Sequence, residues 1–228
     1  MITILRKQTP PLCLEEEKSK TNGNYECGDT LFRLQQDFHY KCYICEKPNL
    51  TDIQIDHFLP RKLRPDLRCE WTNLFLCCVH CNNTKLAGYI PLLDCTKADA
   101  QIAQKIRCTA EPMSQEVCIE ALSDEIEVAN TVRLLRDVYF GKTSHKAHEA
   151  VVLRRLLYEE LTRFTGILQK YLVAAPVRKP RHREQIVKDL QPTSAFTSFK
   201  IWVIWQHERL RSDFVPDIPP ELQPPLIT

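Results

Sequence analysis

Glycine is scarce in this chain, 5 residues in 228 against 15 prolines, which excludes a collagen-like repeat, a fibrous chain and a glycine-rich flexible array. An excess of one charge is also missing. With 31 Lys and Arg facing 29 Asp and Glu, the formal charge of +2 marks neither an acidic tail nor a globally basic nucleic-acid binder, so any such case rests on where the charges sit. Long apolar runs are absent too. "IWVIW" (201–205) and "YLVAAPV" (171–177) fall far short of the roughly 20 residues a membrane span needs. "MITILRKQTPPLC" turns polar too early for a signal-peptide core. These features predict a cytoplasmic protein with no membrane role, and no internal repeat is visible.

Hydrophobic content of 43% and charged content of 26% are those of an ordinary soluble chain. A chain of this length buries roughly 70–75% of its unfolded surface, enough for one substantial core or two small ones without disulfides. What is abundant is cysteine. Eleven cysteines without an export signal point to reduced thiols and metal ligands rather than a disulfide framework. Cys42-x-x-Cys45 and Cys78-x-x-Cys81 form two knuckles, each able to give two thiolates to a tetrahedral Zn²⁺. Such a site supplies on the order of 10–16 kcal/mol of apparent binding energy toward folding. Cys77 and His80 offer a competing register; with Cys78 and Cys81 preferred, Cys77 is expected to face away as a small buried hydrophobe. Cys13, Cys27, Cys69, Cys95, Cys108 and Cys118 then read as buried or incidental thiols, the last three matching no knuckle spacing.

The rest of the chain reads as α+β and mostly helical, a small zinc-braced finger embedded in a helical body. Residues 1–28 lack a sustained period and are expected to pack loosely as a surface arm. Leu31, Leu34 and Phe38 predict a short helix behind an Asp/Thr cap. Alternating Ile53, Ile55 and His57 predict a strand within 50–59. A helix is expected around 97–107, then a less regular 108–122. Apolar residues at three- and four-residue steps predict a long helical stretch over 124–171, broken near "FGKTSH". A further helix at roughly 194–210 precedes a Pro-rich tail, extended and available to a partner or to the body's own surface. The expected division is an arm and short helix (1–40), the finger (41–95) and a helical C-terminal domain with its tail (96–228).

"IDHFLPRK" and "EWTNLFLCCVHCNNTK" together resemble the HNH endonucleases of ββα-metal fold, in the subset braced by a four-cysteine zinc. The likeness covers about residues 41–88, and the last position is Asn82 rather than His, an HNN variant. It implies that His57 is the general base, that Asp56 and Asn82 hold a catalytic Mg²⁺ or other divalent metal, and that Asn73 orients His57. An imidazole titrates near neutrality and hard oxygen donors suit Mg²⁺, so the residue types fit those roles. Strand alternation points Asp56 away from His57, so the resemblance implies a local bend. Lys85, one turn after Asn82, would contact the substrate phosphate, and Arg61, Lys62 and Arg64 would contact the substrate backbone or lie as solvated charge. The basic run 161–183, "LTRFTGILQKYLVAAPVRKPRHR", is either a phosphate track, a surface for an acidic partner or a solvated linker.

The arm, helix, finger and helical half in that order resemble the PtuB family of nucleases from Septu antiphage systems, which also occur as retron effector modules. That likeness implies an ABC-type ATPase partner (PtuA-like), in retron settings a reverse transcriptase with its RNA–DNA, and a DNA or tRNA substrate. Two alternatives stay open. A stand-alone restriction- or homing-type DNA endonuclease should bring a separate sequence-reading element, and no helix-turn-helix is visible. A non-catalytic zinc-finger interaction module would use His57 only for packing.

Overall fold

The computed structural model describes residues 1–97 and 99–226; Ala98, inside the helix expected over 97–107, and the tail residues Ile227 and Thr228 lie outside the described residues. The fold is α+β and mostly helical, with two separate two-stranded antiparallel sheets. The first residues are core rather than a loose arm. Met1, Ile2 and Ile4 are almost wholly buried, and the Ile4 N–H donates to the Cys95 carbonyl at 2.8 Å. The Arg6 guanidinium donates to the carbonyls of Leu74 (3.0 Å) and Trp71 (3.1 Å) and lies 4.3 Å from the Trp71 ring. A run as short as "MITIL" carries too few residues for a period to reveal its burial.

Helix α1 (Leu12–Lys18) and the turns after it fold back on themselves, bringing the Cα atoms of Cys13 and Cys27 within 5.9 Å, and the two are joined by a disulfide. This corrects the expectation of reduced thiols for that pair. Helix α2 (Thr30–Asp37) forms as expected, with Leu34 and Phe38 turned inward and Leu31 partly exposed.

Strands β1 (Ile53–His57) and β2 (Leu74–Cys78) pair antiparallel in the register Ile53 with Cys78 and His57 with Leu74, and helix α3 (Val79–Lys85) follows β2 without a gap. Every residue of β2, "LFLCC", is buried, as its unbroken apolar run requires.

The expected helix at 97–107 shrinks to one turn, α4 (Ile102–Lys105), and the stretch expected to be irregular forms a hairpin, β3 (Ile106–Glu111) with β4 (Glu116–Ala121). Ile106, Cys108, Val117 and Ile119 face the core, with the more exposed Arg107 and Cys118 between them, the period of two of a half-buried hairpin. Helices α5 (Ile126–Phe140) and α6 (Ser144–Val173) flank a break where expected. Gly141 makes the break: its φ is +75°, and a Cβ there would lie 2.3 Å from the Ala147 nitrogen. Thr143 caps α6, its side chain accepting from the Lys146 N–H.

Helix α7 (Lys179–Asp189) occupies part of the basic run. The helix expected over 194–210 is two, α8 (Thr197–Trp205) and α9 (Glu208–Phe214). The Pro-rich tail lies on the body: Ile218 and Leu222 are buried, and the Trp205 indole N–H donates to the Pro225 carbonyl at 2.8 Å. One continuous hydrophobic core runs from Met1 through the finger strands to Leu222. Among the described residues, no helix is long and apolar enough to cross a membrane.

Candidate metal centre and catalytic cavity

Cys42 and Cys45 lie in the turn after α2, Cys78 ends β2, and Cys81 sits in the first turn of α3. All four are buried, and their sulfurs lie within 4.8 Å of one another. The donor set fits zinc: four convergent soft ligands with no competing cation among them. Burial pushes the Cys45 and Cys81 thiols well above their ordinary value, while at Cys42 the neighbouring thiols outweigh burial and hold it well below. His80 takes no part. Its ring nitrogens lie 2.6 Å from a Glu149 carboxylate oxygen and 2.8 Å from the Val138 carbonyl, which leaves the knuckle in the Cys78/Cys81 register. Cys77 does not face away from the cluster; its sulfur is 3.8 Å from that of Cys42. The knuckle runs along β2, with the Tyr43 N–H donating to the Leu76 carbonyl at 3.0 Å, and that sets Cys42 beside Cys77. Cys95, Cys108 and Cys118 form no cluster among the described residues.

Next to this centre, a cavity of about 370 Å³ is lined by Asp56, His57, Arg61, Lys62, Asn82 and Tyr25, among others. Strand β1, the turn after it and helix α3 therefore bring five of the residues singled out in the sequence to this cavity. Asp56 and His57 both line the cavity although they are neighbours on a strand. The Asp56 carboxylate accepts from the Tyr43 hydroxyl at 2.7 Å and pairs with the Lys85 ammonium at 2.9 Å. His57 Nε2 lies 2.9 Å from the Arg68 carbonyl. A carbonyl can only accept, so Nε2 carries the proton and Nδ1 is the basic nitrogen. Burial lowers the His57 pKa below its ordinary value, the Arg68 bond opposing it.

Asn73 sits outside the cavity wall and braces the chain leaving β1. Its carboxamide accepts from the Leu59 N–H (2.7 Å) and donates to the carbonyls of Leu59 and Leu67, while its own carbonyl accepts from the Phe58 N–H. Lys85, read from sequence as a substrate contact, is buried instead, with its ammonium between Asp56 and the His57 carbonyl (2.8 Å). Arg61 and Lys62 are exposed on the cavity rim, whereas Arg64 pairs with Asp66 at 2.5 Å.

Over 95 positions the chain is 30% identical to the Septu protein PtuB of Bacillus thuringiensis. The match covers 37% of this chain and 37% of that protein, so the chain spans little more than a third of the relative's length in alignment. No family model matches the chain, and no solved structure matches it.

The basic run is partly committed elsewhere. Arg163 pairs with Glu160 and Asp189, Arg183 pairs with Asp217, and the Lys179 ammonium lies 4.9 Å from the Tyr171 ring. Lys170, Arg178 and Arg181 are exposed and make no ion pair among the described residues. Sequence reasoning missed two residues of the site, Tyr25 on the cavity wall and Tyr43 bonded to Asp56 behind it. Tyr25 is an isolated aromatic in "TNGNYEC", a segment with no period, and Tyr43 reads as knuckle filler between two cysteines. Neither carries a signal that spacing alone would expose.

Proposed function

We propose that this chain is a metal-dependent HNH-type endonuclease that hydrolyses phosphodiester bonds, and that it serves as the nuclease of a Septu-type antiphage system. The observation that carries the reading is the shared cavity, in which the neutral imidazole of His57 meets two hard oxygen donors, Asp56 and Asn82, with Arg61 and Lys62 on the rim. The likeness to a Septu protein supports the defence role.

A divalent metal such as Mg²⁺ would be held by the Asp56 carboxylate and the Asn82 amide oxygen. Asp56 retains capacity for it, since a carboxylate offers about four lone-pair sites and the contact of its Oδ1 is Lys85 at 3.3 Å. When bound, that ion supplies positive charge to the phosphoryl and leaving oxygens. His57 Nδ1 takes a proton from water, whose oxygen forms the new bond to phosphorus as the bond to the 3′ oxygen breaks and that oxygen gains a proton from solvent. Arg61 and Lys62 hold the flanking backbone by charge. Asn73 and Lys85 act behind these groups, fixing the chain on either side of His57.

An ABC-type ATPase (PtuA-like) is the proposed controlling partner, joined in retron settings by a reverse transcriptase and its RNA–DNA, with DNA or tRNA as substrate. The test is cleavage of labelled single- and double-stranded DNA and tRNA with Mg²⁺, comparing wild type and His57→Ala, each with and without the ATPase. Cleavage that vanishes in His57→Ala supports the reading. Equal inertness of both proteins in every condition, with zinc retained, leaves a structural zinc module.

A further inference from the structure

We propose that Tyr25, carried into the cavity by the N-terminal arm from outside the finger, is the positioning residue that holds the His57 imidazole in its working orientation. The inference rests on the nuclease reading above. The Tyr25 ring meets the His57 ring edge-on, with centroids 4.7 Å apart and planes at 81°. That is a favoured aromatic arrangement, the positive ring edge meeting the negative face. The same ring lies 5.9 Å from the guanidinium of Arg68 and 5.3 Å from that of Arg61. Arg68 is the residue whose carbonyl accepts the His57 Nε2–H. Tyr25 therefore packs against the imidazole itself and lies beside the side chain of the residue whose carbonyl selects the tautomer. The Arg68 Nε is buried without a hydrogen-bond partner among the described residues, so the Tyr25 face is part of what holds that side chain in place.

Two observations separate this from ordinary core packing. A buried structural tyrosine normally bonds its hydroxyl, whereas Tyr25 is half-buried and lines the cavity itself. The arm is also built to deliver it. Gly23 packs so closely that a Cβ would stand 2.1 Å from the Glu17 carbonyl oxygen and 3.0 Å from the Cys69 sulfur. The Asn24 N–H donates to the Glu17 carboxylate at 2.7 Å, and the Cys13–Cys27 bond closes the segment two residues beyond the tyrosine. Residues 23–27 are thus pinned on both sides of Tyr25.

A general base contributes about 10²–10⁴-fold to rate, and small misplacement of a reacting group forfeits about 10-fold or more of such a factor. The test uses the full chain, with its ATPase where cleavage requires it, and compares wild type, Tyr25→Phe, Tyr25→Leu and the control His57→Ala. Steady-state cleavage is combined with long-range ¹H–¹⁵N spectra of the His57 imidazole. Tyr25→Phe keeps the ring edge and is expected to stay within about twofold of wild type, with a single Nε2–H tautomer. Tyr25→Leu is expected to lower kcat by about tenfold with KM within about twofold, and to show both tautomers, at unchanged zinc content.

The proposal is overturned if Tyr25→Leu retains both the wild-type kcat and the single tautomer. It is equally overturned if Tyr25→Phe loses as much as Tyr25→Leu, which would assign the effect to the hydroxyl. Should Tyr25→Leu fail to fold, Tyr25→Met takes its place under the same criteria. If wild type and His57→Ala are both inactive, the nuclease reading fails, and the tautomer spectra still decide whether Tyr25 positions His57.

Discussion

The Lys85 ammonium lies 2.9 Å from the Asp56 carboxylate, with both side chains almost wholly buried, and it donates a second bond to the His57 carbonyl at 2.8 Å. One side chain of α3 thus fixes two consecutive residues of β1. Removing one partner of a buried ion pair leaves the other charge without compensation, typically at about 3–5 kcal/mol. Lys85→Met is expected to lose stability in that range. The double variant Asp56→Asn, Lys85→Met is expected to lose less than the sum of the two single changes. Urea unfolding of all four proteins of the cycle measures this, and additive losses would show the pair is not coupled.

The four-thiol cluster makes a prediction about metal content. The purified chain is expected to hold about one zinc, retained in Cys77→Ser and lost in Cys42→Ala or Cys81→Ala. Chelation is expected to collapse the finger, because the binding free energy of a metal held by four converging cysteines is part of what folds the turns that carry them. Elemental analysis of each variant, with circular dichroism before and after chelation, reports the outcome. Zinc loss in Cys77→Ser would make the fifth thiol a ligand.

Legibility in the sequence followed the range of the signal. The cysteine knuckles and the Asp56-His57 pair lie in local spacings, and the break at Gly141 interrupts two long three- and four-residue patterns, so each could be read directly. The β3–β4 hairpin was not legible because six-residue strands give only two inward positions each, too few to establish a period of two in a stretch that reads as irregular. The burial of Met1 to Ile4 and the Tyr25–His57 contact depend on where an aperiodic segment crosses the finger. Tertiary packing decides such positions. Lys85 lies on the helix that carries Asn82, but its reach inward to Asp56 rather than outward to substrate depends on a charge buried on another element.

Acid stability should depend on Glu46. Burial alone would raise its pKa, but the Met1 ammonium at 2.7 Å, the nearby Lys41 and hydrogen bonds from the ammonium and Ser198 outweigh it and hold Glu46 at about 2. The folded pKa lies below the ordinary value of 4.5. The stabilisation is therefore complete above that value and is lost as pH falls from 4.5 toward about 2. The shift corresponds to an effect on the order of 3 kcal/mol. Wild type is expected to lose its advantage over Glu46→Gln across that window, followed by denaturant unfolding at successive pH values. An advantage that persists undiminished down to about pH 2 would remove Glu46 from the account of acid unfolding.

Under the nuclease reading, His57 sets the acid limb of the cleavage profile. The base must be neutral to take a proton from water, and burial of the ring lowers its pKa below the ordinary 6.5, outweighing the opposing Arg68 bond. A lowered pKa keeps the imidazole neutral at a more acid pH than a free histidine would be. The apparent pKa of the acid limb of kcat/KM is therefore expected below 6.5. Activity should be level through neutral pH and fall only as the solution becomes acid enough to protonate the buried ring. Measurement at constant ionic strength and saturating Mg²⁺ keeps metal binding and the charges of Arg61 and Lys62 from mimicking the limb. A limb centred above 6.5 would assign the titration to another group, such as metal-bound water, and would take the proton-accepting role away from His57.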